Sequence, residues 1–179
     1  MRDKKVRMMT EIGLAVALSV ILNFVTLFKM PQGGSVNLEM LPVLIVAIRW
    51  GGIPGMLTGL VYGLVQLALN PFVVHPAQFL LDYPLAYMLL GIAGFIPVKL
   101  KSKNKYAVYG SVFAALFIGT FARFIAHVLS GVIFFAHYAG EQNVWLYSTI
   151  YNGSFLLPTF IISFVIIVPL LLKLMRTER

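Results

Sequence analysis

Arg49-Trp50-Gly51-Gly52-Ile53-Pro54 stands between two apolar runs, and its reading decides how often the chain crosses a membrane. A charge, a glycine pair and a proline suited to the first turn of a new helix make a tight turn, not the middle of a span. One helix therefore ends with the run Leu38–Ile48 and another begins with Ile53–Leu69. Outward from this turn, four more apolar stretches can be marked: Ile12–Phe28, Ala77–Val98, Tyr106–Ala136 and Leu146–Leu172. The expected fold is all-α, a polytopic membrane protein of six transmembrane helices forming a single domain over residues 1–179. The run Leu38–Ile48 is short against the ~20 residues a span needs, so that helix should be tilted or distorted. The first stretch follows Arg2, Lys4, Lys5 and Arg7 as a signal peptide would, but it lacks a small-residue cleavage site and is long enough to span.

Composition leaves no other class open. The chain of 179 residues is 60% hydrophobic and 11% charged, with a mean hydropathy of +0.90. A soluble domain carries about 25% charged residues. Six spans and their connections use the length, which excludes a separate soluble catalytic domain. The absence of cysteine excludes disulfides, thiolate metal sites and thiol nucleophiles.

The net charge of +8 acquires meaning from its placement. With the N-terminus in the cytoplasm, six spans put the N-terminal cluster, Arg49, the run Lys99, Lys101, Lys103 and Lys105, and Lys173, Arg176 and Arg179 all inside. Only Lys29 lies in an outer loop, and a five-span arrangement would split the clusters. Both termini are therefore expected in the cytoplasm. Because the charge sits at helix ends, nucleic-acid binding is not expected. Gly51, Gly55, Gly59 and Gly63 recur every four residues and predict a smooth ridge for close helix packing. Helix 1 has small-residue faces through Gly13 with Ala17 and through Ala15 with Ser19.

Ionisable residues inside spans are costly and mark function by default, which singles out Asp82, Arg123 and His127. Two arrangements fit. Asp82 can pair with Arg123 while His127 serves as an internal donor, or Asp82 and His127 can line a solvent-reached pocket near the outer surface. Their shared depth, early in the fourth stretch and late in the fifth, favours the pocket. Tyr83, Phe134, Phe135, Trp145, Tyr147, Tyr151 and Asn152 lie at a similar level; such rings form either an interfacial belt or the walls of a site. A lone carboxylate among rings suits a flat cationic or amine-bearing ligand. Enzyme readings fail: Gly51–Gly55 lacks the lysine of a phosphate loop, the histidines lack a zinc spacing, and His127 with Ser130 has no oxyanion-hole motif.

Several blocks taken together go further: Met30-Pro31-Gln32-Gly33-Gly34-Ser35-Val36, Arg49-Trp50-Gly51, Leu80-Leu81-Asp82-Tyr83, Arg123 with Ala126-His127-Val128-Leu129-Ser130-Gly131, Phe134-Phe135, and Trp145-x-Tyr147-Ser148-x-x-Tyr151-Asn152. Over nearly its whole length the chain resembles the thiamine-specific substrate-binding (S) components of energy-coupling factor (ECF) vitamin transporters, a prokaryotic inner-membrane family. The resemblance implies a multi-pass cell-membrane protein that is not an enzyme, needs no cofactor or metal, and captures thiamine near the extracellular face. Its implied partners are membrane lipid, a transmembrane coupling subunit and a pair of cytosolic ATPases. It also implies site residues. Asp82 matches an acidic position contacting the aminopyrimidine, Tyr83 its tyrosine neighbour, and His127, Tyr147 and Asn152 binding positions on helices 5 and 6. Phe135 stands where some members stack a tryptophan, and Asp82 where some have glutamate. Gly34 and Ser35 belong to a lid loop, and Trp145 is the nearest expected tryptophan reporter. Helix 1 of S components docks on the coupling subunit through an Ala-x-x-x-Ala-like motif, here Gly13-x-x-x-Ala17 or Ala15-x-x-x-Ser19. The competing readings are an S component for another vitamin and an autonomous proton-coupled carrier using Asp82 and His127.

Overall fold

Gly51 is the pivot of the structure, a computed structural model that describes residues 2–177, with side chains to Lys173. Its φ of 98° lies in the region open to glycine, and its N–H donates to Ala47 O at 2.9 Å, closing helix α2 (Met40–Trp50) before α3 (Gly52–Leu69) starts. The remaining helices are α1 (Arg2–Asn23), α4 (Pro76–Phe95), α5 (Lys105–Phe134) and α6 (Val144–Thr177). Five of the six are long and apolar enough to cross a membrane, and α2 is the exception. Arg176 and Arg179, expected in the inner basic cluster, lie outside the residues whose side chains are described.

The 11 residues of α2 rise only about 16 Å, about half of a ~30 Å hydrocarbon core. Met40, Val43, Leu44 and Ala47 are fully buried, so α2 is a central strut wrapped by the other helices. The space beyond its N-terminus is filled by a hairpin, β1 (Thr26–Lys29) with β2 (Ser35–Asn37), paired antiparallel in the register Phe28 to Val36 and Lys29 to Ser35. This corrects the expected first span, which stops at Asn23 instead of reaching Phe28. Turn chemistry is the reason: Pro31 presets the turn, Gly33 at φ 100° donates to Met30 O at 3.3 Å, and closure draws the upstream apolar residues into a strand.

Gly55, Gly59 and Gly63 form an internal ridge on α3, as expected for close packing, whereas Gly51, counted in the expected ridge, lies outside the helix because its positive φ makes the turn. A Cβ at Gly59 would fall 2.0 Å from Tyr87 O, and one at Gly63 2.6 Å from Tyr83 O, so the α3 and α4 backbones touch. Gly59→Val should therefore destabilise the protein by about 3 kcal/mol, the upper range for overpacking, as read by denaturant unfolding in detergent. Wild-type stability would mean that the two helices can part without cost.

Helix α4 is not the uninterrupted span the sequence suggests. Pro84 has no N–H to give and its ring crowds the carbonyl one turn back, so the backbone widens into a π-helical turn over Leu81–Leu85. That turn carries Asp82 and Tyr83.

Helix α1 packs along a narrow seam of Ile12, Ala15, Ser19 and Asn23. Gly13 and Ala17 are exposed, with open space where a Cβ on Gly13 would sit. The two small-residue pairs therefore have opposite fates. Ser19 is 0% exposed, so the Ala15 and Ser19 pair is corrected from a docking candidate to part of the internal seam, because both side chains point into the bundle.

Candidate functional site

Opposite the Gly51 turn, the hairpin and the ends of the helices enclose a cavity of about 550 Å³. Among its lining groups Glu39, 3% exposed, stands at the N-terminal end of α2. Three donors from three helices converge on its carboxylate: Tyr62 Oη from α3 at 2.9 Å, Tyr87 Oη from α4, and Arg123 Nη2 from α5 at 3.2 Å. The Arg123 guanidinium, 5% exposed, also lies 4.0 Å above the Tyr87 ring. Glu39 and Arg123 thus neutralise each other within a shell of phenols.

A second cluster shares Arg123. Its Nε–H donates to His127 Nε2 at 3.2 Å, one helical turn along α5. An acceptor nitrogen carries no hydrogen, so His127 is the neutral tautomer with the hydrogen on Nδ1, which donates to Asp82 Oδ1 at 3.0 Å. Ser130 Oγ and Gln78 Nε2 each donate to Asp82 Oδ2 at 2.7 Å. Asp82 is therefore well hydrogen-bonded by neutral groups while its charge is left uncompensated by them. The expected alternative of an Asp82 to Arg123 ion pair is corrected, since Glu39 takes the guanidinium.

The wall above is aromatic. Phe72, Phe135 and Tyr138 stack in sequence with centroids 5.8 and 6.1 Å apart, and across α6 Tyr147 stacks on Tyr151 at 6.1 Å. Tyr83 Oη donates to Asn70 O at 2.9 Å and accepts from Phe72 N–H at 2.8 Å, which ties the α3–α4 loop to the π-helical turn. Asn152 donates to Ser148 O at 2.9 Å. The hairpin closes the top: Gln32 N–H donates to Tyr151 Oη at 3.1 Å, and a Cβ at Gly34 would meet the Phe155 ring at 2.6 Å. A larger residue there would have to displace the Phe155 ring.

The eight residues that the resemblance assigned to the site and its lid, Gly34, Ser35, Asp82, Tyr83, His127, Phe135, Tyr147 and Asn152, line this cavity, as do Arg123 and Tyr151, whereas Phe134 stacks on His75 outside the lining. Trp145 does not line it; it is 56% exposed, and the carbocyclic rings of the lining are phenyl and phenol groups. Sequence reasoning missed Glu39, Tyr62, Gln66, Gln78 and Tyr87. Glu39 had a signal, being an ionisable residue inside a marked apolar stretch. The tyrosines and glutamines had none, because polar tips on apolar helices are indistinguishable from interfacial residues until their neighbours are known.

A multi-pass helical membrane protein with a partly open, carboxylate-bearing, aromatic-walled cavity at one end belongs to the class that holds a small organic solute for transfer. The comparisons agree. A family model described as thiamine transporter protein (Thia_YuaJ) matches residues 9–179. The chain is 40% identical over 174 residues to the thiamine transporter ThiT of Bacillus subtilis (strain 168), covering 93% of this chain and 91% of that one. It is 29% identical over 175 residues to the thiamine transporter ThiT of Lacticaseibacillus paracasei, covering 93% and 87%. A solved structure of ThiT from Listeria monocytogenes superposes with a TM-score of 0.85 at 27% identity, covering 94% of both chains. This chain belongs to the thiamine transporter protein family.

Proposed function

We propose that the chain binds thiamine in the cavity between the hairpin and helices α4, α5 and α6, and that it is the substrate-binding component of an ATP-driven ECF transporter in the prokaryotic cell membrane. The observation that carries this reading is the charge pattern. Glu39 and Arg123 cancel and His127 is neutral, so Asp82 is a carboxylate without an ionic partner among the rings, while Lys29, the other cation of the lining, stands on the exposed hairpin strand. Thiamine is a monocation built from a thiazolium and an aminopyrimidine, both flat, and it answers that charge and those walls. A volume of about 550 Å³ is the usual size for such a ligand. The relatives named as thiamine transporters support the same ligand. Mass spectrometry of small molecules released from the purified, denatured protein tests it directly: thiamine is expected, and a different vitamin would overturn the assignment.

The hairpin end faces outward in this reading and both termini face the cytoplasm. The basic residues gather at the other end, where Arg7 and Arg49 reach Glu11, and Phe95, just before the lysine run, covers Gly52. The exposed Gly13 and Ala17 face of α1 is the docking surface for the transmembrane coupling subunit, since small side chains allow close helix approach. Ala17→Trp should leave thiamine affinity within about twofold and abolish co-purification with the coupling subunit and ATPases, and with it ATP-dependent uptake. Ala15→Trp should instead disturb the α1 seam. Uptake by the protein reconstituted alone under a proton gradient would establish the autonomous carrier instead.

A further inference from the structure

The inner end of α1 carries a side-chain cluster remote from the cavity. Glu11 accepts from Trp50 Nε1 at 2.6 Å and lies 2.9 Å from Arg49 Nε and 3.1 Å from Arg7 Nε. Two of the three donors come from the last residues of α2, the buried strut, and Arg49 also stacks over the Trp50 ring at 5.9 Å. Beside them Ile12 and Ala15 of α1 pack on Val46 of α2, with Met8 and Trp50 at the edge. This small apolar cluster is separate from the main core. At the outer end of α1 Asn23 is fixed by hydrogen bonds, its Oδ1 accepting from Asn37 Nδ2 at 3.3 Å and Gln66 Nε2 at 3.1 Å, whereas the seam along the inner half is apolar, and such contact is weakly directional because one apolar neighbour can be exchanged for another. A carboxylate held by donors of fixed geometry is directional.

We propose that Glu11 is a positioning residue: clamped by Trp50 and Arg49 at the end of α2, it fixes the rotation of the inner half of α1, as Asn23 does at the outer end, and so keeps Gly13 and Ala17 facing out of the bundle. The clamp itself depends only on this chain. Its consequence for transport rests on the docking reading given above. Because α2 begins at Glu39 in the floor of the cavity and ends at Arg49 and Trp50, α1 is indexed against the same rigid element that supports the site.

The test uses the full chain, which contains no cysteine, so that any engineered pair is the only disulfide possible. Ala15→Cys with Val46→Cys joins α1 to α2 across the small apolar cluster between them, and its rate of oxidative cross-linking reports how well α1 holds its register. Glu11→Ala in this background should slow cross-linking about tenfold, with Trp50→Phe and Glu11→Gln falling between it and the parent. Thiamine affinity of these variants should stay within about twofold, showing that the fold and cavity survive. With the partners present, Glu11→Ala should lose assembly and uptake, and Glu11→Gln, which keeps an acceptor, should recover part of both. Unchanged cross-linking in Glu11→Ala overturns the clamp. Slowed cross-linking with normal assembly upholds the clamp and overturns the docking face, which Ala17→Trp checks separately because it leaves Glu11 in place.

Discussion

Arg123→Leu is expected to be the most damaging single substitution in the bundle. It removes the cation that neutralises Glu39 at 3.2 Å and leaves a carboxylate, 3% exposed, supported by two phenols alone. Breaking a buried pair from one side costs about 3 to 5 kcal/mol, because the stranded charge keeps its desolvation penalty and loses its partner. Denaturant unfolding of the purified protein in detergent measures it. The double variant Arg123→Leu with Glu39→Gln should recover much of the loss, since no charge is then stranded, and the shortfall from additivity is the coupling between the two groups. If Arg123→Leu unfolds no more easily than the wild type, the pair is not what holds α2 and α5 together at the floor of the cavity.

Asp82→Asn should weaken thiamine binding by roughly 1.5 to 3 kcal/mol, about 10- to 150-fold in Kd, the scale of a charged hydrogen bond. The substitution keeps the shape of the side chain, and one amide oxygen can still accept from Ser130 or Gln78. What disappears is the negative charge. The loss should accordingly be larger for thiamine than for an analogue with an uncharged ring in place of the thiazolium, and calorimetry with both ligands separates charge from shape. Equal losses for the two would show that Asp82 acts as a hydrogen-bond acceptor only. An unchanged Kd in a folded variant would remove Asp82 from the site.

The two substitutions probe different halves of one chain of contacts running from Glu39 through Arg123 and His127 to Asp82. Arg123 serves both halves. It compensates Glu39, and by donating to His127 it sets the tautomer that leaves Asp82 as the uncompensated charge. The floor of the cavity therefore joins a buried ion pair to the histidine that faces Asp82, and in the proposed reading it prepares the site for a monocation.

Helix number, the turn at Gly51 and the ridge through Gly55, Gly59 and Gly63 were legible in the linear chain, because each follows from local rules: hydropathy over a span, glycine and proline at a turn, and a four-residue repeat on one face. Asp82 and His127 were legible for a related reason, since an ionisable residue in a span announces itself by its cost and its depth can be counted along the helix. The partner of Arg123 was not, because Glu39 lies 84 residues away and the choice between two carboxylates depends on how α2 sits among its neighbours. Nor could the outward pair on α1, Gly13 and Ala17, be told from the inward pair, Ala15 and Ser19, since both are small and recur at the same spacing. Periodicity specifies the faces of a helix, but which face is buried is set by the helices that surround it.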